Sequence, residues 1–450
     1  MKLNIHTDLI NDSWLSYILE EFKRICGAQF EIQITKGPEI KKQINTIYYT
    51  ENPKSGLTQL QRKDHIAPNN NFEWLRKDFY VLKGSTNDNH KNLLSYDVLW
   101  NSFIHISRIE EWYAEKKGNL VHSYSLKHPR KDKETFDIPI VNYYFEDLKK
   151  AISNNFPEMQ FTSPKMAEIE WSHDLDYITK TFQLRLKQTA FNGFNTIKSI
   201  GSGSFGRTGL KTINFLFSNP SYWCFDFWIN LEKKYKVNSV FYIYAKHQIQ
   251  KQGGQRLKSW IINPSYDVTN NIDLQNKLKS MKDNGFKIGL HGSYNSATDI
   301  KLLEIEKDTL ERALGIEATK TRQHWLNYNE KLTPKLHEKL FKEDSTISWN
   351  DRPGFRAGIC SPFFPYNHAE KKSFKFIIIP QILMDSHIFD YNYNTEKALN
   401  LVQLALNVPS SKFSVSWHPR TCTNDYKWHL VYEKILKSYY NFKMDKSKLE

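Results

Sequence analysis

Apolar residues recur at helical spacing in two segments of the N-terminal part of the chain. Between 96 and 112, four apolar residues lie four, three and three positions apart, which is the spacing of one buried helical face. A second helix is predicted after Pro139, where apolar residues also repeat at intervals of three and four. The hydrophilic stretch 116–137 between them predicts a loop. This part of the chain shows no grouping of catalytic residue types.

From Glu168 onward, short apolar strands alternate with helices. Strands are predicted at 167–171, 237–245, 287–290, 319–321, 374–379 and 412–417, and helices at 271–284 and 302–314. This alternation is typical of a parallel sheet or a (β/α) barrel. With 450 residues, we predict an α/β protein with a smaller N-terminal domain at 1–155 and a barrel-like domain at 165–450, which carries an insertion at 183–231.

Composition predicts a folded protein that does not cross a membrane. Apolar residues make up 40% of the chain and aromatic residues 14%, which is enough to build packed cores. No stretch reaches the roughly 18 consecutive apolar residues of a membrane-spanning helix, and residues 1–8 lack the apolar core of a signal peptide. We therefore expect a cytoplasmic protein. The four cysteines are widely separated and form no CxxC pair, so we expect buried free thiols.

The net charge of +14 raises the question of an anionic polymer as partner. The lysines are scattered through amphipathic stretches, and the longest basic runs are short and interrupted by acidic residues. A nucleic-acid site needs its cations clustered on one face or along one helix. We therefore expect no nucleic-acid partner.

Gly201, Gly203 and Gly206 match the GxGxxG pattern of dinucleotide-binding loops. Such a loop follows a strand and opens a helix, with an acidic residue about 20 positions further on. The residues before Gly201 show no strand alternation. A surface loop is therefore the better interpretation of this stretch.

Two carboxylates, Asp174 and Asp176, follow a predicted strand. Like charges this close need a cation or a proton to compensate them, and a metal ion is the simplest compensation. The alternative is a pair of turn or capping aspartates, which is the commoner use of an isolated DxD. His291, His324 and His418 lie at or just after the ends of other predicted strands. Because such strand ends converge on one mouth of a barrel, these imidazoles favour the metal hypothesis.

Seven short segments of the second domain occur in a recognisable order: 172–177, 239–242, 288–291, 322–326, 354–358, 384–385 and 416–419. In this order, residues from about 168 to 419 resemble the polysaccharide deacetylase family, the NodB-homology domains. The resemblance is to a bacterial branch whose first motif reads HDxD and whose N-terminal region is an uncharacterised companion domain. In the N-terminal part it rests on 107–112 and 139–141. The resemblance implies a deformed (β/α) barrel.

The resemblance also implies a site for one divalent metal ion, expected to be zinc. Asp176 and His291 would bind the ion together with Asn295, which stands where the family has a second histidine. An amide oxygen is a poorer zinc ligand than an imidazole, so His173 or His324 is an alternative third ligand.

Catalytic roles follow from the same resemblance. Asp174 corresponds to the general base, Arg322 to the arginine that orients the base, and His418 to the general acid. Asp385 and Arg356, in the remaining motifs, are further candidate site residues. The implied reaction removes acetyl groups from the N-acetylated sugars of a bacterial polysaccharide or its precursor, so we expect a carbohydrate substrate.

Two alternatives to this function remain open at the level of sequence. One is a catalytically silent carbohydrate-binding or scaffolding protein, which the asparagine at position 295 favours. The other is a hydrolase that acts on a different ester or amide bond. Trp325, Trp417, Phe355 and Tyr294 offer faces on which a sugar ring could stack, with core packing as the alternative use.

Overall fold

The computed structural model describes residues 1–37, 44–51, 56–68, 71–86, 92–198, 205–245, 262–264 and 266–446. The strands are β1 (Lys2–Thr7), β2 (Glu31–Lys36), β3 (Thr46–Thr50), β4 (Gln59–Gln61), β5 (Phe72–Arg76), β6 (Phe79–Leu82), β7 (Glu168–Leu175), β8 (Val240–Ile243), β9 (Lys287–Gly292), β10 (Lys320–Gln323), β11 (Glu343–Asp344), β12 (Tyr366–Asn367), β13 (Lys372–Ser373), β14 (Ile377–Ile378), β15 (Gln381–Met384) and β16 (Lys412–Ser416). The α-helices are α1 (Ser13–Cys26), α2 (Val98–Ile106), α3 (Ile109–Lys116), α4 (Ile140–Asn155), α5 (Phe182–Lys198), α6 (Phe205–Phe217), α7 (Phe225–Lys234), α8 (Ile272–Asp283), α9 (Ile300–Leu314), α10 (Thr333–Leu340), α11 (Asp385–Phe389), α12 (Thr395–Leu406) and α13 (His429–Lys446). Short 3₁₀-helices cover Ser125–Lys127, Lys133–Asp137, Asn295–Thr298, His324–Leu326 and Pro419–Cys422. Strands and helices are mixed along the chain, which confirms the predicted α/β class.

The chain forms two compact units, the first of which contains Met1–Ile169 and Tyr328–Ser414. In the first unit, β1 pairs in parallel with both β2 and β3, and β3 pairs in parallel with β4, so the sheet order is β2-β1-β3-β4. The buried faces of α1, α2 and α4 share one hydrophobic core with this sheet. Burial of these apolar faces is the main favourable contribution to the unit's stability.

The first unit is discontinuous in sequence. Its core includes Ile347, Ile359 and Phe376 together with the apolar residues of the first 160 positions. The sequence pattern instead placed the domain boundary between 155 and 165, so the compact units follow a different division from the two contiguous segments. Hydrophobic packing explains the difference, because residues after 328 complete the core of the first unit.

The helix predicted between 96 and 112 is interrupted at Arg108. The helix α2 ends before this residue and α3 begins after it, because Arg108 adopts a left-handed backbone conformation with φ of 51°. Its Nε and Nη2 atoms each donate a hydrogen bond of 2.8 Å to the carboxylate of Glu330, and both side chains are buried. A two-point charge pair of this kind offsets the cost of removing both charges from water.

Two further buried arginine–glutamate pairs lie in the first unit. Arg130 pairs with Glu110, and Arg356 pairs with Glu111 through contacts of 3.2 Å and 2.6 Å. Arg356 Nη1 also donates to the Ser348 carbonyl oxygen at 3.1 Å. The stretch 107–112, which the sequence marked by resemblance alone, therefore provides the acidic partners of a buried charge network.

The second unit contains Glu170–Asn327 and Val415–Glu450. Parallel pairing joins β7 to β8, β8 to β9 and β9 to β10. These strands belong to an eight-stranded sheet with the order β14-β11-β10-β9-β8-β7-β16-β15, which is consistent with a deformed barrel. Because the carboxyl ends of parallel strands lie at the same edge of a sheet, the residues at the ends of β7, β9 and β10 come together.

Most elements predicted between 168 and 320 are confirmed. The helices α8 and α9 cover the two predicted helices, and Gly285 follows α8 with φ of 89°, as expected for a residue past a helix end. The predicted strand at 374–379 is reduced to the two residues of β14. The insertion at 183–231 forms α5, α6 and α7, and the glycine-rich residues 201–204 within it lie outside the described residues. None of the helices in the described part of the chain has the length and apolar character that crossing a membrane requires.

Candidate metal centre and active site

Asp174 lies within β7, where Arg322 from β10 holds its carboxylate. Arg322 Nη1 donates to Asp174 Oδ1 at 2.8 Å, and the hydroxyl oxygens of Ser172 and Ser416 lie 2.9 Å from the same nitrogen. Burial alone would raise the pKa of Asp174, but the Arg322 guanidinium holds that pKa below its usual value. The structure therefore brings together the two residues that the sequence proposed as base and orienting arginine, with the carboxylate ionised.

The ring of Tyr242 packs against Arg322, and glycine on the neighbouring strand makes room for that ring. Its guanidinium carbon lies 4.3 Å from the centre of the Tyr242 ring, and Tyr242 is on β8. On the neighbouring strand β9, a Cβ at Gly289 would come within 2.8 Å of that ring and 3.1 Å of the Lys320 carbonyl oxygen. Glycine at this position thus allows the ring to lie where it contacts the arginine.

Three side chains that can bind a metal converge beside the Asp174–Arg322 pair. One ligand atom from each of Asp176, His291 and His324 lies within 4.8 Å of the other two, and all three residues are buried. Asp176 Oδ1 is 3.5 Å from His291 Nε2 and 3.7 Å from His324 Nε2. One carboxylate oxygen and two imidazole nitrogens are a common ligand set of catalytic zinc sites.

Two observations indicate that this cluster suits a cation. The buried atom Asp176 Oδ1 accepts no hydrogen bond from the described residues, although a buried carboxylate oxygen is costly unless it is paired. His291 Nδ1 lies 3.0 Å from the Arg322 carbonyl oxygen, which can only accept a hydrogen bond. In the neutral ring the hydrogen is therefore on Nδ1, and Nε2 presents its lone pair toward Asp176. Burial lowers the pKa of His324 to about 3, so this ring is neutral and able to bind a metal as well.

The second oxygen of Asp176 faces an imidazole and a guanidinium group. His418 Nε2 lies 3.3 Å from Asp176 Oδ2, and Arg420 Nη1 donates to the same oxygen at 3.1 Å. Burial would raise the pKa of Asp176, but His418 and Arg420 hold it well below its usual range. The sequence predicted His418 at this site but missed Arg420. The only signal for Arg420 was its position two residues after the histidine.

Two of the proposed metal ligands lie elsewhere. Asn295 is exposed at the start of a 3₁₀-helix, and the third member of the cluster is His324 instead. His173 is fully buried, with Nδ1 donating to the Trp417 carbonyl oxygen at 2.7 Å and Nε2 lying 2.7 Å from Glu232 Oε1. Because side chains alternate along a strand, His173 points to the face of β7 opposite Asp174. Both of its ring nitrogens are occupied, so it is no spare ligand.

The two further candidates, Asp385 and Arg356, belong to the first unit. Asp385 is fully buried at the start of α11, where its Oδ1 accepts a hydrogen bond of 2.7 Å from the Ser386 backbone N–H. Arg356 is engaged by Glu111, as described above. Arg356 is thus part of the buried charge network of the first unit, and Asp385 stays a candidate site residue.

The candidate aromatic faces differ in exposure. The side chains of Trp417 and Phe355 are only 0% and 1% exposed, which leaves no face for a sugar, whereas Trp325 is 43% exposed. Trp325 and the next residue, Leu326, have φ values of 58° and 49°, a conformation that bulky side chains rarely adopt. Such strain is commonly retained at functional sites. Tyr294 is half-buried, so Trp325, which directly follows the metal-cluster residue His324, is the most exposed of the four.

We predict that the third ligand can be identified by comparing two substitutions. His324→Ala is expected to weaken zinc binding by more than the roughly 10- to 100-fold that loss of an outer hydrogen-bond partner costs. The exposed Asn295→Ala serves as the control and is expected to leave zinc affinity unchanged. Metal analysis after dialysis and competition with a chelator would measure both. If Asn295→Ala lost zinc and His324→Ala did not, the ligand set predicted from the sequence, with Asn295 as the third ligand, would be correct.

Comparison with known proteins gives a family for the N-terminal segment only. Residues 3–157 match a family described as "Family of unknown function (DUF7033)". No curated protein matches the chain. The match covers the N-terminal stretch and does not reach the residues of the metal cluster.

Solved structures similar to this chain are polysaccharide deacetylases and related proteins. A Mycobacterium smegmatis protein named provisionally as a polysaccharide deacetylase is 14% identical, with a TM-score of 0.37, and the match covers 63% of this chain and 86% of the other. The peptidoglycan deacetylase PdaC from Bacillus subtilis is 12% identical, with a TM-score of 0.29 and coverages of 62% and 86%. A mutant of a CE4 family pseudoenzyme with restored enzymatic activity is 9% identical, with a TM-score of 0.30 and coverages of 63% and 65%. At these identities and TM-scores, the likeness assigns neither an activity nor the role of any residue.

Proposed function

We propose that this chain is a metal-dependent hydrolase that removes acetyl groups from N-acetylated sugars of a bacterial polysaccharide or its precursor. The observation that supports the proposal most is the adjacency of an ionised carboxylate to a buried metal-binding cluster. Asp174 is held by Arg322, and Asp176 two residues later joins His291 and His324. Hydrolysis of an amide needs a base, an electrophile and an acid, and these residues supply a candidate for each.

Asp174 is suited to act as the general base. Arg322 occupies its Oδ1 atom, while no hydrogen bond from the described residues reaches Oδ2. This second oxygen can therefore accept the proton of an attacking water molecule. Arg322 fixes the orientation of the carboxylate and keeps it ionised before the reaction begins.

His418 is suited to act as the general acid. Its Nε2 lies on the Oδ2 side of Asp176, at 3.3 Å, whereas His291 and His324 approach Oδ1. A protonated His418 can donate to the departing amine nitrogen, which leaves acetate and an amino sugar. A divalent cation held by Asp176 and the two other imidazoles would polarise the acetyl carbonyl.

The alternative functions make different demands on the site. A catalytically silent protein was favoured by asparagine as a third ligand, whereas His324 offers an imidazole beside Asp176 and His291, which supports an active site. A hydrolase of O-acetyl esters or of other amides could use the same residues. No observation on the described residues favours either alternative over the N-deacetylase.

The proposal is tested by metal analysis and by acetate release. The purified protein is expected to bind about one zinc ion per chain and to release acetate from N-acetylated oligosaccharides, with activity lost on chelation and regained on adding zinc. A panel containing O-acetylated sugars and acetylated peptides determines which bond is cleaved. Protein that takes up no divalent metal, or that is inactive on every N-acetylated sugar while cleaving the esters, would overturn it.

A further inference from the structure

A lysine from the insertion lies within electrostatic reach of the metal-centre residue Asp176 but forms no direct ion pair with it. Lys187 is on α5, is half-buried, and donates from Nζ to the Tyr177 hydroxyl at 3.2 Å. No carboxylate among the described residues forms an ion pair with it. A partly buried ammonium group with no direct ion pair is unfavourable, because charged groups are normally buried only when they are paired.

Tyr177 connects this lysine to the metal cluster. The tyrosine directly follows Asp176 in the chain, and the guanidinium carbon of Arg420 lies 5.3 Å from the centre of its ring. Lys187 Nζ lies 5.9 Å from the same ring centre. Two cations thus approach one aromatic ring immediately beside a proposed metal ligand.

The charges of the site do not cancel. Arg322, Arg420 and Lys187 contribute three positive charges, whereas Asp174 and Asp176 contribute two negative ones. A divalent cation would increase the excess of positive charge further. A neutral acetylated sugar offers nothing to balance it, whereas an anionic group would be attracted to it.

A cavity extends from the same tyrosine. It has a volume of about 550 Å³ and is lined by residues from two segments, 177–179 with Thr181 and 266–267 with 270–273. This volume lies within the usual range of small-molecule sites, about 300–1,000 Å³. Its lining includes two acidic residues, Asp267 and Asp273, and Asp267 accepts hydrogen bonds within its own turn from Thr269 and Asn270. The cavity is large enough for a sugar, and Tyr177 relates it to the cationic groups because its hydroxyl accepts a hydrogen bond from Lys187.

We propose that Lys187, together with Arg420, binds a carboxylate or phosphate group on the acetylated sugar substrate. This inference rests on the proposed function and narrows its substrate class from N-acetylated sugars in general to anionic ones. The insertion at 183–231 would then contribute to substrate binding, because its helix α5 carries Lys187. Lys187 acts in specificity and takes no part in the proton transfers.

The test measures binding separately from turnover. Dissociation constants of N-acetylglucosamine, N-acetylglucosamine 6-phosphate and N-acetylmuramic acid are determined by ligand-observed NMR for the wild type and for Lys187→Met. The wild type is expected to bind at least one of the two anionic sugars more tightly than the neutral one by a factor of about ten or more, because hydrogen bonds to charged groups are strong. Lys187→Met is expected to remove most of this preference, and Lys187→Arg to retain it. Comparing N-acetylglucosamine 6-phosphate with N-acetylmuramic acid shows whether the site prefers a phosphate or a carboxylate.

The control is Lys279→Met, an exposed lysine on α8 whose substitution makes the same change in net charge. This variant is expected to keep the preference for the anionic sugar. Equal binding of all three sugars by the wild type, or an unchanged preference in Lys187→Met, would overturn the inference. Acetate release is measured in parallel with neutral oligosaccharides. A wild type that shows the preference but releases no acetate contradicts the proposed function alone, and the converse result contradicts the anion site alone.

Discussion

Asp174→Asn is expected to lower kcat for acetate release by a factor of about 10² to 10⁴, the usual contribution of a general base. The amide keeps the shape of the side chain but cannot accept the proton of the attacking water. Since Asp174 is not part of the metal cluster, zinc content should remain that of the wild type, whereas the free energy of unfolding is expected to fall because the buried Arg322 loses its charged partner. Steady-state kinetics and metal analysis on the same preparation measure the two effects.

The matched control for this prediction is Asp308→Asn, an exposed aspartate on α9. It makes the same chemical change far from β7 in sequence, and kcat is expected to stay unchanged. If Asp174→Asn keeps full activity, the base lies elsewhere. If it loses its metal, Asp174 is a ligand and the assignment of roles to the two aspartates is wrong.

Arg108→Gly is expected to reduce the free energy of unfolding of the first unit by about 3–5 kcal/mol, because it leaves Glu330 buried without its partner. Glycine is the informative replacement here. It tolerates the left-handed backbone at this position without strain, and its greater freedom in the unfolded chain adds only about 0.4–1 kcal/mol to the loss of the charge pair. Denaturant unfolding followed by circular dichroism measures the change.

Lys150→Ala is the control for the charge pair. Lys150 and Glu146 form an exposed ion pair of 3.8 Å on α4, and removal of such a pair costs at most about 1 kcal/mol. Combining Arg108→Gly with Glu330→Ala is expected to recover part of the lost stability, since no unpaired charge then remains. Equal losses for Arg108→Gly and Lys150→Ala would show that the buried pair contributes little.

The sequence predicted the elements whose pattern is local. The helices α8 and α9 and the strands β7 to β10 follow from the spacing of apolar residues, and the general position of the site follows from the ends of those strands. The helix break at Arg108 could not be predicted, because its left-handed backbone has no local signature and its buried side chain pairs with Glu330, 222 positions away. The cytoplasmic location and the absence of a nucleic-acid partner stay predictions from composition.

The candidate site was predicted in part for a similar reason. Asp174, Asp176 and His291 were found through the order of the motifs. Whether Asn295 or His324 completes the cluster depends on the register between β9 and β10, in which Arg322 lies opposite His291. That register is a property of the folded sheet and has no signature in either motif alone. Lys187 was missed because its helix lies in an insertion that matched no motif.

The alternation of the two units along the chain has a consequence for synthesis on the ribosome. Residues 1–169 emerge first, but Ile347, Ile359 and Phe376, which complete their core, follow only after the whole stretch 170–327. During that interval the nascent chain presents an unfinished apolar surface, and the contacts that close it are non-local and slow to form. The first unit is therefore expected to be the part of this protein that depends most on chaperones during translation.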